Sequence, residues 1–322
     1  MNISICITTF NEANNISRLL ESLLVQSKKA DEIVIVDGGS KDRTLSVVKN
    51  FQLKIFNKFP NINFHLIKKQ HCTRSRGRNI AVKASKNEII AMIDAGCVAH
   101  KDWLKNVTKP FEQNQKYVDI SAGFYLMTGN NNLQRAMGVY LGVTPNKFSN
   151  NFLPSTRSMA FRKSAWKAVG GFPQSNNNSA EDTDFNYKAV KLGLKYARVK
   201  NALVDWAMPN SIPEFRNKIY DYAKWDVLYG IWWHPIQRFG SHNIKASLIV
   251  LRYIIGSVFI VYGFFVPVLH VILGILFFLY EVWAYKKAGL WGPILQLVSD
   301  IAVINGFVSG IISKYVLPKR HA

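Results

Sequence analysis

The chain has 322 residues, which is long enough for one large domain with an appendage and for a sizeable buried core. Its 41 lysines and arginines outnumber its 20 aspartates and glutamates, and the resulting charge of +21 indicates an anionic partner such as a nucleotide phosphate or an acidic membrane surface. The three cysteines have no zinc-ligand spacing and no nucleic-acid motif is present, so we expect neither a disulfide framework nor a nucleic-acid partner. A strand-like run begins at the N-terminus in place of a basic and apolar leader, so we expect no cleaved signal peptide.

Strand-like and helix-like segments alternate through the first two thirds of the chain. Residues 3–8 have the period of a strand, and short apolar runs at 32–36, 63–67 and 88–93 are typical of buried strands. Apolar residues at the helical period follow the first strand at Ile16, Leu19, Leu20, Leu23 and Leu24. Strand and helix in this order predict an α/β fold, Rossmann-like, with a mainly parallel sheet and flanking helices.

Polar residues follow these strands at their carboxyl ends, where α/β sheets bind ligands. Thr9 and Glu12 follow the first strand, Asp37 and two glycines follow the second, and Asp94 follows the fourth. A carboxylate next to glycines can approach a base edge or a ribose hydroxyl closely. A tight turn between strand and helix is the alternative interpretation of Asp37.

Arginines begin the helix-like segment that precedes the fourth strand. Arg74, Arg76 and Arg78 lie in its first turns, where guanidinium groups form an anion site. A solvated basic face is the alternative. The apolar face of this helix is predicted at Ile80, Ala81 and Ala84.

A second acidic feature lies further along the chain. The pair Glu181-Asp182 begins a helix-like segment after a turn at Gly170-Gly171. Such a pair either complements the helix dipole or supplies a general base. Together with Asp94, the pair predicts a metal-assisted transfer at a phosphorylated donor.

The C-terminal third is much more apolar. Residues 247–283 are interrupted by few polar side chains, and they exceed the roughly 20 residues that one helical crossing of a membrane needs. Two crossings that turn near Pro267 fit this run, as does one long helix kinked there. A third apolar stretch, 293–313, contains Asp300 and two amides, which is compatible with a span, a re-entrant segment or a surface-lying helix.

An amphipathic, tryptophan-rich segment at 212–239 precedes these runs, and it is predicted either to lie at a bilayer interface or to pack on the domain. Basic residues tend to lie on the cytoplasmic side of a membrane. If all the basic residues that flank the apolar segments lie there, the chain forms a hairpin through Pro267 and a third segment that does not fully cross the membrane. Two full spans, the alternative, would place Lys286 and Lys287 outside. The basic residues that flank the apolar segments are Arg238, Lys245, Lys286, Lys287, Lys314, Lys319 and Arg320.

A series of short motifs in the first 200 residues resembles the family 2 inverting glycosyltransferases, which have a single GT-A nucleotide-sugar-binding domain. The motifs are Thr8-Thr9-Phe10-Asn11-Glu12, Asp37-Gly38-Gly39-Ser40-Lys41-Asp42, Gly77-Arg78-Asn79, Ile93-Asp94-Ala95-Gly96, Phe161-Arg162-Lys163, Val169-Gly170-Gly171-Phe172 and Ala180-Glu181-Asp182-Thr183-Asp184-Phe185. The resemblance implies that Thr9 and Glu12 line a nucleotide pocket, that Asp37 holds the base or ribose, and that Arg78 lies near the diphosphate.

The resemblance also implies a metal site and a base. Asp94 matches the first acid of the DxD motif, which binds the divalent metal, Mg²⁺ or Mn²⁺, that bridges the donor phosphates. Asp182 matches the general base that deprotonates the acceptor hydroxyl, with Glu181 beside it. Gly96 replaces the second acid of the DxD motif, but one carboxylate can be enough because Mg²⁺ also uses phosphates and water as ligands.

We therefore expect a membrane-associated inverting glycosyltransferase of the cell membrane, with its catalytic domain in the cytoplasm. Its donor would be a UDP- or GDP-sugar and its acceptor a polyprenyl phosphate or lipid-linked saccharide. The expected regions are 1–211 for catalysis, 212–246 for an interfacial helix and 247–322 for two or three membrane segments. The alternatives are a processive polysaccharide synthase, which the missing QxxRW motif disfavours, and an inactive membrane-anchored nucleotide-sugar-binding protein, which Gly96 favours.

Overall fold

The computed structural model describes residues 1–112, 117–173 and 179–316 and divides the chain into two compact units. Unit 1 contains Met1–Leu126 and Pro145–Ala207, and unit 2 contains Met127–Thr144 and Met208–Ala322. Lys319 and Arg320, two of the flanking basic residues, lie outside the described residues, as does the end of the predicted 247–322 region.

Eight strands and eleven α-helices make up the described parts of the chain. In chain order they are β1 (Ile3–Thr9), α1 (Ala13–Leu24), β2 (Glu32–Asp37), α2 (Thr44–Lys58), β3 (Asn63–Lys68), α3 (Arg74–Ala84), β4 (Ile89–Met92), β5 (Cys97–Ala99), α4 (Trp103–Thr108), β6 (Ile120–Thr128), α5 (Asn132–Leu141), β7 (Met159–Arg162), α6 (Lys163–Val169), α7 (Glu181–Lys191), β8 (Tyr196–Ala207), α8 (Ile212–Leu228), α9 (His242–Gly263), α10 (Val268–Ala288) and α11 (Gly292–Ile311).

The first four strands form the parallel half of one sheet, whose order is β3-β2-β1-β4-β7-β6-β8-β5. Strand β1 lies between β2 and β4, and its last residue, Thr9, is beside Asp37 in the register. The residues of β1, β2 and β4 are nearly all buried, as expected for parallel strands covered on both faces. The α/β architecture predicted from the alternating pattern is confirmed.

Antiparallel pairing dominates the other half of the sheet, which the sequence pattern does not predict. Strand β7 runs antiparallel to β4, with Met159 beside Met92. Strand β8 runs antiparallel to β5, with Trp206 beside Cys97. Since these strands pair across long stretches of chain, local periodicity gives no signal of their partners.

Helix α3 forms where the arginine-rich segment predicts a helix, but its buried face differs from the expected one. Thr73 caps its N-terminus by accepting a hydrogen bond from the Arg76 backbone N–H at 3.3 Å. Ala84 is exposed, and the buried side of the helix includes Arg78 and Asn79. The prediction of an Ile80-Ala81-Ala84 face was therefore wrong in part, because polar partners elsewhere in unit 1 bring these two polar side chains inside.

Unit 2 is mainly helical, with α5 in its short first segment and α8 to α11 in its second. Helix α8 begins at Ile212, where Ser211 caps it, and ends at Leu228, so it does not continue through the tryptophan-rich residues as far as 239. Helices α8 and α11 pack closely, since a Cβ on Gly306 would lie only 2.3 Å from the Tyr220 carbonyl oxygen. Tyr220 also donates a hydrogen bond to Ser309 Oγ at 2.9 Å.

The apolar segments of unit 2 form long helices that separate at Pro267. Two helical stretches of the described chain are long and apolar enough to cross a membrane, judged by length and composition. They are His242–Gly263, with mean hydropathy 2.0, and Val268–Val316, with mean hydropathy 1.9, and only 6% of the most apolar part of each is buried. Such exposure differs from that of a helix in the core of a soluble protein.

A polar network joins α9, α10 and α11 around Asp300, which is 1% exposed. Its carboxylate accepts hydrogen bonds from Arg252 Nη2 at 2.6 Å, Tyr253 Oη at 3.0 Å and Tyr280 Oη at 2.5 Å. Gln296 Nε2, one turn earlier on α11, adds a fourth at 3.0 Å. Asp300, the charged residue of the predicted third apolar stretch, therefore has hydrogen-bond partners from within unit 2.

Candidate functional site

The polar residues that follow the parallel strands lie at one edge of the sheet, because β1, β2 and β4 run in the same direction. Asp94 is two residues past the end of β4, and its carbonyl oxygen accepts a hydrogen bond from the Cys97 N–H at 3.0 Å. Glu181 and Asp182 form the first turn of α7, after Ala180, which has a left-handed backbone with φ of 60°. Acidic groups from two distant parts of the chain thus become candidates for one site.

Arg78 connects these groups directly. Its guanidinium, on the buried side of α3, donates from Nη1 to Glu181 Oε1 and from Nη2 to Asp94 Oδ1, the latter at 2.7 Å. Its carbon lies 5.8 Å from the centroid of the Phe172 ring, and the residue is 1% exposed. The structure therefore brings Asp94, Arg78 and Glu181 together through one buried cation.

Asn79 fixes the turn that carries Phe172. Its Oδ1 accepts hydrogen bonds from Trp166 Nε1 at 3.1 Å and from the Phe172 N–H at 2.9 Å, and its Nδ2 donates to the Phe172 carbonyl at 2.8 Å. Gly171 has φ of +81°, and a Cβ there would lie 2.9 Å from Asn79 Oδ1. The motifs Gly170-Gly171-Phe172 and Gly77-Arg78-Asn79 therefore contact each other, and this contact supports Arg78.

Asp37 is largely engaged by its own turn. Its Oδ1 accepts hydrogen bonds from the N–H groups of Gly39 and Ser40, both at 3.0 Å, and its Oδ2 accepts one from Ser40 Oγ at 2.6 Å. These are the contacts of a turn former. Asp37 is also 1% exposed, so in this structure its carboxylate is enclosed by its own turn. The binding role of Asp37 stays a prediction.

Thr9 is the last residue of β1 and lies beside Asp37 in the register, and Glu12 follows on the loop between β1 and α1. Thr9 Oγ1 is buried and has no hydrogen-bond partner within the described part of the chain. Glu12 immediately precedes α1, accepts a hydrogen bond from Asn15 Nδ2 at 2.8 Å, and donates its N–H to Thr44 Oγ1 at 2.8 Å. Because a buried hydroxyl is costly to leave unpaired, Thr9 is the stronger candidate for ligand contact of the two.

The three acids of the site differ in their electrostatic environment. Burial by itself raises the pKa of Asp94, but Arg78, Arg74 and Arg157 outweigh it and hold the pKa at about 2. Burial also opposes ionisation of Glu181, and Arg78 with Arg74 again lowers the pKa. Burial and then the charge of Glu181 raise the pKa of Asp182. The pKa values of the neighbouring carboxylates Glu181 and Asp182 are thus shifted in opposite directions. Such a pattern leaves one carboxylate as a permanent anion and makes the other a better proton acceptor.

Arg157 is the member of the site that no sequence motif indicates. Its guanidinium carbon lies 3.7 Å from the centroid of the Trp206 ring and 5.3 Å from that of Tyr125. Its charge acts on both Asp94 and Asp182. No local pattern reveals this, since β6, β7 and β8 assemble the neighbourhood from distant segments.

The site fits a divalent ion held by Asp94 with phosphate and water rather than by a closed set of protein ligands. Asp94 is ionised and its side chain is 24% exposed. A Cβ on Gly96 would meet no atom within 4 Å, so the space beside the missing second acid is open. No group of three or more histidine, cysteine, aspartate or glutamate side chains that could hold a metal occurs in the described ranges. One or two carboxylates are sufficient for Mg²⁺ when substrate phosphates complete the shell.

The sequence matches the family described as Glycosyl transferase family 2 over residues 4–170. Glycosyltransferase AglE of Haloferax volcanii is 30% identical over 105 residues, which cover 32% of this chain and 33% of the relative. A Methanococcus voltae enzyme named dolichyl N-acetyl-alpha-D-glucosaminyl phosphate 3-beta-D-2,3-diacetamido-2,3-dideoxy-beta-D-glucuronosyltransferase is 32% identical over 123 residues, covering 38% of this chain and 37% of the relative. The chain thus spans about a third of the length of these curated relatives.

Solved structures share the fold over nearly the whole chain. The mannosyltransferase PcManGT of Pyrobaculum calidifontis, in complex with GDP-Man and Mn²⁺, superposes with a TM-score of 0.65 at 18% identity over 97% of this chain and 88% of its own. Staphylococcus aureus TarS 1-349 in complex with UDP-GlcNAc gives a TM-score of 0.53 at 18% identity over 97% and 91%. Because the sequence identity is only 18%, this structural likeness establishes the fold alone.

Replacing Arg78 with Met should lower the free energy of unfolding by about 3–5 kcal/mol, because it leaves the buried Glu181 and the partly buried Asp94 without the cation that joins them. The measurement is urea denaturation at neutral pH, with Arg76→Met, at an exposed position on the same helix, as the control.

The effect of Arg78 should depend on pH. The ion pairs stabilise the fold at pH values above the pKa that the two acids have in the unfolded chain. This stabilisation is lost as the pH falls through the lower pKa values that the acids have in the folded chain. The deficit of Arg78→Met should therefore shrink below about pH 4. Equal stability of the two variants would contradict a structural role for the Arg78 bridge.

Proposed function

The chain belongs to glycosyl transferase family 2 and is a glycosyltransferase with the GT-A fold, and from this premise we propose its reaction. It moves a sugar from a nucleoside-diphosphate donor to a lipid-linked acceptor at the cytoplasmic face of the cell membrane, with inversion at the anomeric carbon. The observation that carries this proposal is the joining of Asp94 and Glu181 by Arg78, with Asp182 next to them at the carboxyl edge of the sheet.

Asp182 acts as the general base. Its raised pKa makes it a better proton acceptor than Glu181, whose carboxylate is engaged by Arg78 and whose pKa is lowered. A base works best when its pKa approaches the working pH. Glu181 is therefore a positioning residue, which holds Arg78 and raises the pKa of its neighbour through its charge.

The transfer is a single displacement that needs no enzyme nucleophile. The acceptor hydroxyl oxygen forms a bond to the anomeric carbon while the bond between that carbon and the phosphate oxygen breaks. The hydroxyl proton goes to Asp182, and the nucleoside diphosphate leaves with the bonding electron pair. Fixed positive charge near the leaving oxygen stabilises the charge that develops there.

The donor binds at the ends of β1, β2 and β4. Thr9 has a buried hydroxyl without a partner in the described residues, and Asp37, beside it in the register, is the proposed acceptor of a hydrogen bond from the ribose or base. The GDP-Man and UDP-GlcNAc in the two structurally similar proteins support GDP- and UDP-sugars as the proposed donors. A divalent ion, when bound, neutralises charge on the diphosphate, and Asp94 is the residue that holds it.

Unit 2 supplies the membrane association. Its two long apolar stretches are exposed. Among the described residues of α11, Asp300 is the only buried charge, and it is paired with Arg252. Ionisable groups inside a bilayer require such partners. The named substrate of the Methanococcus voltae relative is a dolichyl phosphate saccharide, which supports a lipid-linked acceptor here.

Asp182→Asn should reduce turnover by about 10²–10⁴-fold while donor binding is retained, because the amide keeps the size of the side chain but accepts no proton. Turnover is measured as UDP or GDP released from a panel of nucleotide sugars in the presence of a polyprenyl phosphate. Asp184→Asn, in the same helical turn and paired with Lys188, is the matched control and should keep its rate. Near-normal turnover of Asp182→Asn would remove this residue from the mechanism.

EDTA should lower turnover of the full chain by about 10²-fold, roughly 3 kcal/mol of transition-state stabilisation, and Mg²⁺ or Mn²⁺ should restore it. Asp94→Asn should mimic EDTA, and added metal should not rescue it. Activity that is insensitive to EDTA would show that arginine side chains carry the diphosphate charge without a metal.

Leu276→Asp should weaken membrane binding, because Leu276 lies in mid-α10 with 56% of its surface exposed. A charge at the centre of the hydrocarbon costs about 2.5–3.5 kcal/mol. Flotation with anionic phospholipid vesicles measures the effect. Phe56→Asp, in α2 of unit 1 and 76% exposed, is the matched control and should float like the native chain. Unchanged flotation of Leu276→Asp would contradict insertion of α10.

A further inference from the structure

Helices α9 and α10 form an apolar hairpin whose tip is the turn at residues 264–267. Its base is the end where α9 begins and α10 ends. The side chains of the tip are strongly exposed, with Phe264 at 77%, Phe265 at 82% and Val266 at 45%. A turn that emerged on the far side of a membrane would lie in water, where such large apolar side chains are unfavourable.

The backbone of the tip is also paired without the help of water. The N–H groups of residues 264–266 donate to carbonyl oxygens of the last turn of α9 at 3.0–3.3 Å, and Pro267 has no N–H. His270 Nε2 lies 3.1 Å from the Ile260 carbonyl oxygen, to which a neutral imidazole can donate. Backbone groups in hydrocarbon require such internal partners. The side chains and the backbone of the tip are therefore both suited to an apolar medium.

The charge-free part of each arm of the hairpin is too short to cross a bilayer. Residues 254–265 and 268–279 contain no Asp, Glu, Lys or Arg. Each stretch is about 18 Å long at the helical rise of 1.5 Å per residue, which is close to half of the hydrocarbon thickness of about 30 Å. Each arm therefore has the length of one leaflet.

Polar side chains lie at the same level of both arms, where these stretches end. Arg252 and Tyr253 of α9 and Tyr280 of α10 all contact the carboxylate of Asp300, at 2.5–3.0 Å. The guanidinium carbon of Arg252 lies 4.4 Å from the Tyr280 ring centroid, and the Arg252 side chain is 44% exposed. A half-exposed arginine is costly in the middle of a bilayer, whereas the headgroup layer offers water and phosphate and is enriched in tyrosine.

Helix α11, which carries Asp300, lies across the hairpin and does not run toward the tip. Near its start, an added Cβ on Gly292 would overlap the carbonyl oxygen of Ala284, close to the end of α10. Near its end, Gly310 packs against Val227 of α8, which an added Cβ would approach to 2.8 Å. The two ends of α11 thus contact the last turns of α10 and of α8.

Helix α8 shows where the water must be. Six of its 17 residues are charged, so it cannot lie in hydrocarbon. Its last turn is next to the start of α9, since Asp226 Oδ2 lies 2.8 Å from His242 Nδ1. Both ends of α11 therefore lie on the base side of the hairpin, and the level of Asp300 marks the membrane surface.

We propose that the α9–α10 hairpin enters a single leaflet of the membrane, with its tip inside the bilayer and with Arg252, Tyr253 and Tyr280 in the headgroup layer. None of the described segments then crosses the membrane, and α11 lies along its surface. The inference rests on the proposed function, because it takes the membrane association of unit 2 as given. It places the hairpin in the same leaflet as the phosphate of the proposed lipid-linked acceptor.

The test compares the depths of two labels on the full chain. Phe265→Cys and Leu276→Cys are made in a Cys72→Ser background, since the other two cysteines are buried, and each carries the fluorophore NBD. The chain is added to preformed phosphatidylcholine–phosphatidylglycerol vesicles with lipids brominated near the headgroup or near the end of the acyl chain. Bromines at the acyl end should quench the Phe265 label more strongly than the Leu276 label. With two full crossings the order is reversed, because Leu276 lies in mid-α10.

Dithionite gives a second readout, because it reduces NBD wherever water reaches the label. After a pore former has opened the vesicles to dithionite on both sides, the Phe265 label should keep its fluorescence. Lys286→Cys, at an exposed position in the last turn of α10, is the matched control, and its label should lose its fluorescence.

Loss of the Phe265 signal to dithionite, or stronger acyl-end quenching at Leu276 than at Phe265, would overturn the inference and show a hairpin that crosses the membrane. If Phe265→Cys does not fold, Phe264→Cys in the same turn decides by the same two readouts. A native chain that does not float with the vesicles would instead refute the proposed membrane association, and the inference with it.

Discussion

The buried guanidinium of Arg78 is the constraint on which unit 1 depends at its functional edge. A charge removed from water is tolerated only when ion pairs and hydrogen bonds replace its hydration, and Asp94 and Glu181 provide them. For Arg78 to contact both acids, α3 must turn a polar side toward the sheet. In addition, the end of β4 and the start of α7 must both lie within reach of the Arg78 side chain. Asn79 and Phe172 complete the same arrangement through backbone hydrogen bonds and ring contact.

This one interaction also determines how the acids differ from one another. Arg78 keeps Asp94 and Glu181 ionised, and the fixed charge of Glu181 then raises the pKa of Asp182. An ionised ligand for cations and a carboxylate with raised proton affinity are therefore produced side by side from similar residues. The separation follows from position relative to the arginines and not from residue type, as in other sites where paired carboxyl groups have distinct roles.

Unit 2 applies the same rule in an apolar setting. Asp300 is buried in an apolar helix, and the side chains of Arg252, Tyr253, Tyr280 and Gln296 supply four hydrogen bonds to it. These partners come from three helices, so the carboxylate connects α9, α10 and α11 while most of the large apolar side chains of α9 and α10 remain exposed. A fully partnered charge inside and an apolar surface outside are the features expected of helices in a bilayer.

The sequence by itself determined the parallel half of the sheet, the order of motifs that resembles a glycosyltransferase family, and the apolar C-terminal helices. These features are local: a strand buried on both faces, a helical period and a run without charge are each written in consecutive residues. The confirmed α/β fold and family follow from them. The roles of Thr9, Glu12, Asp37, Asp94, Glu181 and Asp182 remain predictions that the geometry is compatible with.

Only the tertiary structure decided that Arg78 faces inward between two acids, that Asp37 is mostly bound by its own turn, and that Arg157 joins the site. Arg157 lies two residues before β7, which pairs antiparallel with β4, and its guanidinium rests on the Trp206 ring of β8. Such pairings join residues that are far apart in the chain, and a shift of one residue in register would turn the side chains to the other face. Local sequence carries no record of that register, which is set by the packing of the whole sheet.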